Sequence, residues 1–131
     1  MLDREKSALI AFRLEQAREN LNSSERELNA EAFRISAVRS YYCIFHAMRA
    51  VLAIEGFDSK KHSGIIAAFR QRYIKTGIFP PEFSDMIRDA FDARGNSDYA
   101  DFFIIAKGDV IRQIENARIF LAAAETYLKT L

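Results

Sequence analysis

Apolar and small residues recur along the first part of the chain at alternating steps of three and four. The series runs from Ser7 to Leu28, and this spacing is typical of a helix that packs along a second long helix. Asp3 is a suitable N-cap and Asn29 a suitable stop, so the pattern predicts one helix between them. A capping box beginning at Ser24 would instead divide the segment, but the unbroken series favours a single helix.

The second predicted helix, from about Glu31 to Glu55, is apolar on most of its circumference and ends at Gly56. A helix of this kind belongs in the middle of a bundle. The last predicted helix, from about Lys107 to Leu131, repeats the alternating spacing of the first. These three segments therefore predict three long helices that pack side by side.

Two shorter helices are predicted between the long ones. Ser59 can cap the first of them and Gly77 can close it, whereas Pro80 and Pro81 open the second, because proline is tolerated in a first helical turn. Gly95 and Asn96 are expected to stop that second helix. The whole pattern predicts an all-α fold, an antiparallel up-and-down helical bundle of three long helices with a short helical pair inserted, as a single domain over residues 1–131.

The segment Phe102–Ile105 has the composition of a strand, but nothing else in the chain could pair with it. We interpret it as a buried connection or, alternatively, as an apolar patch that awaits a partner.

Composition narrows the function classes. Half of the 131 residues are hydrophobic, 28% are charged and the net charge is +1, which excludes a broadly polycationic nucleic-acid binder but leaves room for a local basic patch. The single cysteine, Cys43, allows no internal disulfide and fits a reducing compartment. No apolar signal core follows the first residues and no apolar run approaches the roughly 20 residues of a membrane span. We expect a cytoplasmic protein that does not enter a membrane.

Polar chemistry is concentrated at the end of the fourth helix. Its apolar face continues to an inward position that is occupied by Arg94, and Asn96, Asp98 and Tyr99 follow within one turn. A buried arginine needs a partner or a function. These four residues are therefore candidates for a ligand-binding pocket.

The second helix carries another polar group. Arg39 and His46 are seven positions apart and share a face, and Tyr42 can touch His46 at a separation of four. These three side chains could wall a polar cleft against the fourth helix. Alternatively, His46 is a buried histidine bonded to the Tyr42 hydroxyl or to a carbonyl.

Lys61 and His62 lie at the start of the third helix, where free N–H groups and a flanking lysine suit a phosphate. The alternative interpretation is a solvated basic turn. Two histidines without a clustered set of acidic ligands predict no metal site and no other cofactor.

Several segments in fixed order resemble one known family. They are Arg39–Ala50, Gly56–Gly64, Phe79–Pro80 and Arg94–Tyr99. Together they are similar to the HEPN domain (higher eukaryotes and prokaryotes nucleotide-binding), in particular to its small stand-alone prokaryotic branch, over nearly the whole chain.

The resemblance implies a helical bundle that usually forms a homodimer, often paired with a small nucleotidyltransferase as a toxin–antitoxin module, and an RNA or nucleotide ligand. Many HEPN proteins are metal-independent ribonucleases in which an arginine precedes a histidine by four to six residues. The histidine moves a proton during attack by the 2′-hydroxyl and the arginine stabilises the phosphorane. Arg94 matches that arginine.

The chain departs from this pattern at the second position, where Tyr99 replaces the expected histidine. A phenol is a poor general base at neutral pH, so the sequence leaves open whether the protein is an enzyme. The catalytic candidates are Arg94, Asp98 and His46.

Three functions stay open. The first is a binding module that acts with a nucleotidyltransferase, and the second is a ribonuclease toxin with altered acid–base residues. The third is purely structural, with Arg94 and Asp98 forming an internal ion pair. The candidate ligand-binding residues are Arg94, Asn96, Asp98, Tyr99, Arg39, Tyr42, Lys61 and His62.

Overall fold

The computed structural model describes residues 2–131, and within them it contains helices and no strand. Five α-helices follow one another along the chain: α1 (Arg4–Asn29), α2 (Phe33–Leu52), α3 (His62–Phe69), α4 (Glu82–Tyr99) and α5 (Lys107–Leu128). A 3₁₀ turn, Ala53–Glu55, extends α2, and a π-helical turn, Arg70–Ile74, extends α3. The predicted all-α bundle is thereby confirmed.

Helix α1 is a single helix, as its apolar series predicts. The Asp3 Oδ1 atom accepts a hydrogen bond of 2.8 Å from the backbone N–H of Lys6, and the helix ends at Asn29. The Ser24 hydroxyl donates back to the Leu21 carbonyl at 2.7 Å instead of capping a new helix. The alternative division of this segment at Ser24 is therefore wrong.

Helix α2 lies at the centre of the bundle and packs against α1, α3, α4 and α5, as expected for a helix that is apolar nearly all round. Its regular part is shorter than predicted, because the last residues before Gly56 form the 3₁₀ turn. Gly56 has a φ of 70°, in the left-handed region that favours glycine. The fully buried side chains of α2 include Tyr41, Cys43, Ile44, Met48, Val51 and Leu52.

The short helical pair is also present, although its first helix starts later than predicted. Ser59 does not cap α3, which begins at His62; the Ser59 hydroxyl oxygen instead accepts a hydrogen bond from the Lys61 N–H at 3.2 Å. Gly77, with a φ of 85°, closes the segment as expected. Pro81 occupies the N-cap position of α4.

The predicted stop at Gly95 and Asn96 is wrong, because α4 continues through them to Tyr99. The reason lies on another helix. The Arg34 guanidinium of α2 donates hydrogen bonds to the carbonyls of Ser97 at 2.9 Å and Ala100 at 2.7 Å. A cation that binds the last carbonyls stabilises a helix C-terminus, so the tertiary contact overrides the local stop signal.

The connection from α4 to α5 is only partly buried. Ile105 packs into the core, whereas Phe102 and Ile104 are 96% and 90% exposed. The expectation of a fully buried connection is therefore wrong, and the alternative of an apolar patch describes these two side chains. Helix α5 ends at Leu128 instead of Leu131. None of the helices within residues 2–131 has an apolar stretch as long as a bilayer crossing requires.

Candidate functional site

Arg94 lies on the face of α4 that packs against α2, and its side chain is only 18% exposed. Its Nη2 atom donates a hydrogen bond of 3.3 Å to the Tyr42 hydroxyl. The guanidinium carbon is 5.8 Å from the ring centroids of Tyr41 and Tyr42 and 5.6 Å from that of Tyr99, distances at which a cation is attracted by an aromatic ring. We call Arg94 with these three tyrosines the arginine–tyrosine cluster.

Asp98 is the charged neighbour of Arg94. Its Oδ2 atom lies 3.2 Å from Arg94 Nε, one helical turn away. The approach does not have hydrogen-bond geometry, so the buried Nε–H has no hydrogen-bond partner within residues 2–131. Asp98 therefore lies against the buried edge of the guanidinium as an ion pair. The Nη1 group of Arg94 makes no hydrogen bond within residues 2–131 and is not sealed from solvent, so it can donate to a further anion.

His62, the first residue of α3, lies close to two of these tyrosines, Tyr41 and Tyr42. Its Nδ1 atom is 2.8 Å from the Tyr41 hydroxyl oxygen, and its ring stacks on Phe45 with centroids 4.2 Å apart. The ring also meets Tyr42 edge-on at 5.9 Å. Partial burial, together with the charge of Arg94, lowers the pKa of His62 below its ordinary value. The structure therefore places a neutral imidazole beside the arginine–tyrosine cluster.

An ion-pair network fixes the loop that carries His62. The Asp58 carboxylate accepts hydrogen bonds from Arg49, the shorter at 3.0 Å, and from the buried Arg13 at 3.3 Å. Arg13 also donates to the Arg49 carbonyl at 2.9 Å. Sequence reasoning missed these three residues. The available signal was Arg13 itself, a charged residue beside the inward face of α1.

Gly64 adds a steric reason for this loop conformation. A Cβ atom at position 64 would collide with the Ser59 hydroxyl. The same hydroxyl holds the Lys61 N–H, so the absence of a side chain at Gly64 lets the loop close tightly against the start of α3.

His46 is not placed as the sequence analysis proposed. Its ring lies 6.1 Å from that of Tyr42, but its buried Nδ1 atom has no hydrogen-bond partner within residues 2–131. The interpretation of His46 as a hydrogen-bonded core histidine is therefore wrong. Burial, reinforced by Arg49 and Arg13, lowers its pKa to about 4, so the ring is neutral at physiological pH.

The remaining candidates lie outside the arginine–tyrosine cluster. Arg39 is exposed and donates to Asn20 of α1 at 3.4 Å, although it borders a groove of about 150 Å³ that Asp98 also lines. Asn96 is exposed, and its carbonyl is 3.5 Å from Arg34 Nη2. Lys61 is exposed at the N-cap of α3. The structure thus brings Arg94, Tyr42, Asp98, Tyr99 and His62 together, whereas Arg39 shares only the groove beside Asp98 and makes no contact with the cluster.

The chemistry of the site is that of an anion-binding surface. It offers a guanidinium, phenolic hydroxyls, a neutral imidazole and exposed aromatic area, since the Tyr99 side chain is 74% exposed. No group of three histidine, cysteine, aspartate or glutamate residues within residues 2–131 is arranged to hold a metal ion.

Comparison with known proteins identifies the family. The family model for the HEPN domain matches residues 10–127 of the chain. The chain belongs to the HEPN domain family. It is 30% identical over 115 residues to a protein of Methanocaldococcus jannaschii that bears the name "Putative toxin", and the match covers 88% of this chain and 78% of that protein.

Two crystal structures share the fold of this HEPN chain. One is of a protein from Thermus thermophilus, with a TM-score of 0.75 and 16% identity over 89% of this chain and 96% of that one. The other is of an archaeal HEPN homologue, with a TM-score of 0.65 and 17% identity over 90% of this chain and 96% of that one. At these identities the likeness concerns the arrangement of the helices.

Proposed function

We propose that this HEPN protein binds the phosphate groups of RNA or of a nucleotide at the arginine–tyrosine cluster. The observation that carries the proposal is the environment of Arg94. This guanidinium is held against tyrosine rings, and its Nη1 group makes no hydrogen bond within residues 2–131 and is open to solvent. Arginine suits phosphate oxygens, because its planar fork offers several donors at once.

The aromatic side chains support a nucleic-acid ligand over a small inorganic anion. Tyr99 exposes most of its ring next to Arg94. Bases stack on exposed aromatic rings while cationic side chains hold the backbone, and this combination is typical of single-stranded nucleic-acid binding. We therefore favour a single-stranded RNA segment or a nucleotide as the ligand.

We further propose that the protein acts as a homodimer in the cytoplasm, together with a small nucleotidyltransferase, as the toxin of a toxin–antitoxin pair. Membership of the HEPN family and the name of the Methanocaldococcus jannaschii relative support a toxin-like role. Co-purification of the chain with a nucleotidyltransferase encoded next to it would test the pairing. A protein that elutes as a monomer and never retains such an enzyme would contradict this part of the proposal.

The binding proposal is tested by removing Arg94. We expect Arg94→Ala to weaken binding of a short oligoribonucleotide at least tenfold, because the central phosphate donor is lost. Arg88→Ala is the matched control, since Arg88 lies on the same helix but is exposed and, within residues 2–131, forms ion pairs with Asp85 and Asp89 alone. Equal affinities for the two variants, measured by fluorescence anisotropy, would contradict the proposal.

A second candidate function is a metal-independent ribonuclease. The observation that favours it is the His62 imidazole beside the cluster, since a neutral imidazole can accept a proton whereas Tyr99 cannot do so readily. Wild-type protein should then cleave RNA in the presence of EDTA, and Arg94→Ala should not. If RNA decays equally with both proteins, the ribonuclease candidate is wrong.

A further inference from the structure

His62 of α3 and Arg94 of α4 both approach the rings of Tyr41 and Tyr42, at distances of 5.7 to 5.9 Å from the ring centroids. We propose that a single phosphodiester group binds between them and that its binding places a proton on the His62 imidazole. This inference rests on the proposed function, because it takes the arginine–tyrosine cluster as the phosphate site. It adds a second binding residue and makes ligand affinity depend on pH.

The hydrogen bonding of His62 suits both protonation states. Nε2 makes no hydrogen bond within residues 2–131 and is not sealed from solvent, so it can donate to a phosphate oxygen. Nδ1 faces the Tyr41 hydroxyl at 2.8 Å. A hydroxyl group can donate to the neutral ring and accept from the protonated one, so protonation costs no hydrogen bond at this position.

The charges around His62 come from three directions. Tyr41, Tyr42, His46 and Arg49 lie near it on α2 and Arg94 on α4, while Asp58, Lys60 and Lys61 precede it in the loop before α3. The Arg94 charge is offset by Asp98 and the Arg49 charge by Asp58. Asp58 is shared with Arg13, and Lys60 and Lys61 form no ion pair within residues 2–131, so the surroundings of a neutral His62 already carry a net positive charge. An imidazolium adds one further positive charge to the contact with a phosphodiester monoanion.

The direction of the pH effect follows from linkage. In the free protein, burial and the charge of Arg94 hold the pKa of His62 below its ordinary value. A bound anion favours the imidazolium and raises that pKa. At a pH between the His62 pKa of the free protein and that of the bound protein, ligand binding takes up a proton. In this range the affinity falls by up to tenfold for each pH unit of increase.

The test uses a short 2′-O-methyl oligoribonucleotide without terminal phosphates. Its phosphodiesters do not titrate near neutral pH, and it lacks the 2′-hydroxyl that cleavage needs. Calorimetry in buffers of different ionisation enthalpy measures the protons taken up on binding. We expect the wild type to take up a substantial fraction of a proton per site, and His62→Gln to bind more weakly with no uptake.

His46→Gln is the matched control, because His46 is the only other histidine of the chain. The proton uptake of this variant on binding the oligonucleotide should equal that of the wild type. Binding by the wild type without proton uptake, or uptake that persists in His62→Gln, would overturn the inference while leaving the phosphate site intact. Absence of any binding by the wild type would overturn the proposed function itself. Should His62→Gln fail to fold, NMR titration of the wild-type His62 ring provides the test instead. The inference requires the pKa of this ring to rise when the oligonucleotide is added, and an unchanged pKa would overturn it.

Discussion

At the scale of single residues, Asp98 competes with any anion for Arg94. Its carboxylate lies 3.2 Å from Arg94 Nε, and the Asp98 side chain is itself partly exposed. Charges at such a distance near a protein surface interact by about 1 kcal/mol or more. The ion pair that the purely structural interpretation invokes is thus real, and it also limits the affinity of the site for phosphate.

We therefore predict that Asp98→Asn strengthens oligoribonucleotide binding by roughly fivefold, which corresponds to removing about 1 kcal/mol of repulsion. Asp92→Asn serves as the control, because Asp92 is exposed on the same helix and changes the net charge by the same amount. Anisotropy titrations at constant salt measure both. If the affinity for the oligoribonucleotide rises equally in the two variants, the effect is due to net charge, and Asp98 does not compete with the ligand for Arg94.

The sequence predicts part of this site and not the rest, for a physical reason. Arg94 is identified because it falls on the apolar face of a helix, and that periodicity is local. His62 is 32 positions away along the chain, and its approach to the same tyrosines depends on the loop held by Asp58 with Arg49 and Arg13. No local pattern encodes such a contact.

At the scale of the helices, the end of α4 depends on α2. Arg34 donates to the carbonyls of Ser97 and Ala100, and these carbonyls belong to the turn that carries Asp98 and Tyr99. The last four carbonyls of a helix have no partner within the helix. Arg34 therefore holds the helical turn on which half of the candidate site is built.

Replacing this residue should loosen that turn. We predict that Arg34→Met lowers the free energy of unfolding by about 1–3 kcal/mol, since two charge-assisted hydrogen bonds are lost, and speeds amide exchange in the last turn of α4. Arg39→Met is the control, because Arg39 lies on the same helix but is exposed and makes one long hydrogen bond. Urea unfolding and hydrogen exchange measure the two effects, and equal exchange rates in both variants would contradict the capping role.

The helix boundaries show the same division between local and tertiary signals. Asp3 and Gly77 act where the sequence predicts, because capping and a left-handed turn involve only neighbouring residues. Gly95 does not stop α4, because its weak helix propensity costs about 1 kcal/mol and the distant Arg34 outweighs it. Boundaries set by neighbours are predictable, and those set by packing are not.

At the scale of the whole molecule, the central position of α2 places a neutral histidine inside a group of cations. His46 is partly buried, near Arg49 and Arg13, and its Nδ1 atom has no hydrogen-bond partner within residues 2–131. Protonating this ring in the folded protein costs free energy, whereas in the unfolded chain it does not. The stability of the bundle is therefore coupled to pH through one residue at its centre.

The pKa of His46 is lowered to about 4 in the folded protein, against about 6.5 in the unfolded chain. The stabilisation that it contributes is complete above pH 6.5 and is lost as the pH falls toward 4, because the unfolded chain then binds the extra proton. Because the ring is partly exposed and its charge is screened by solvent, we predict a loss of about 1–3 kcal/mol across this window, measured as the free energy of unfolding in urea at successive pH values. His46→Leu should abolish the larger part of the loss, whereas His62→Gln should remove only the smaller part that the lowered pKa of His62 contributes. A wild-type stability that stays constant between pH 6.5 and 4 would show that His46 is not held neutral by the fold.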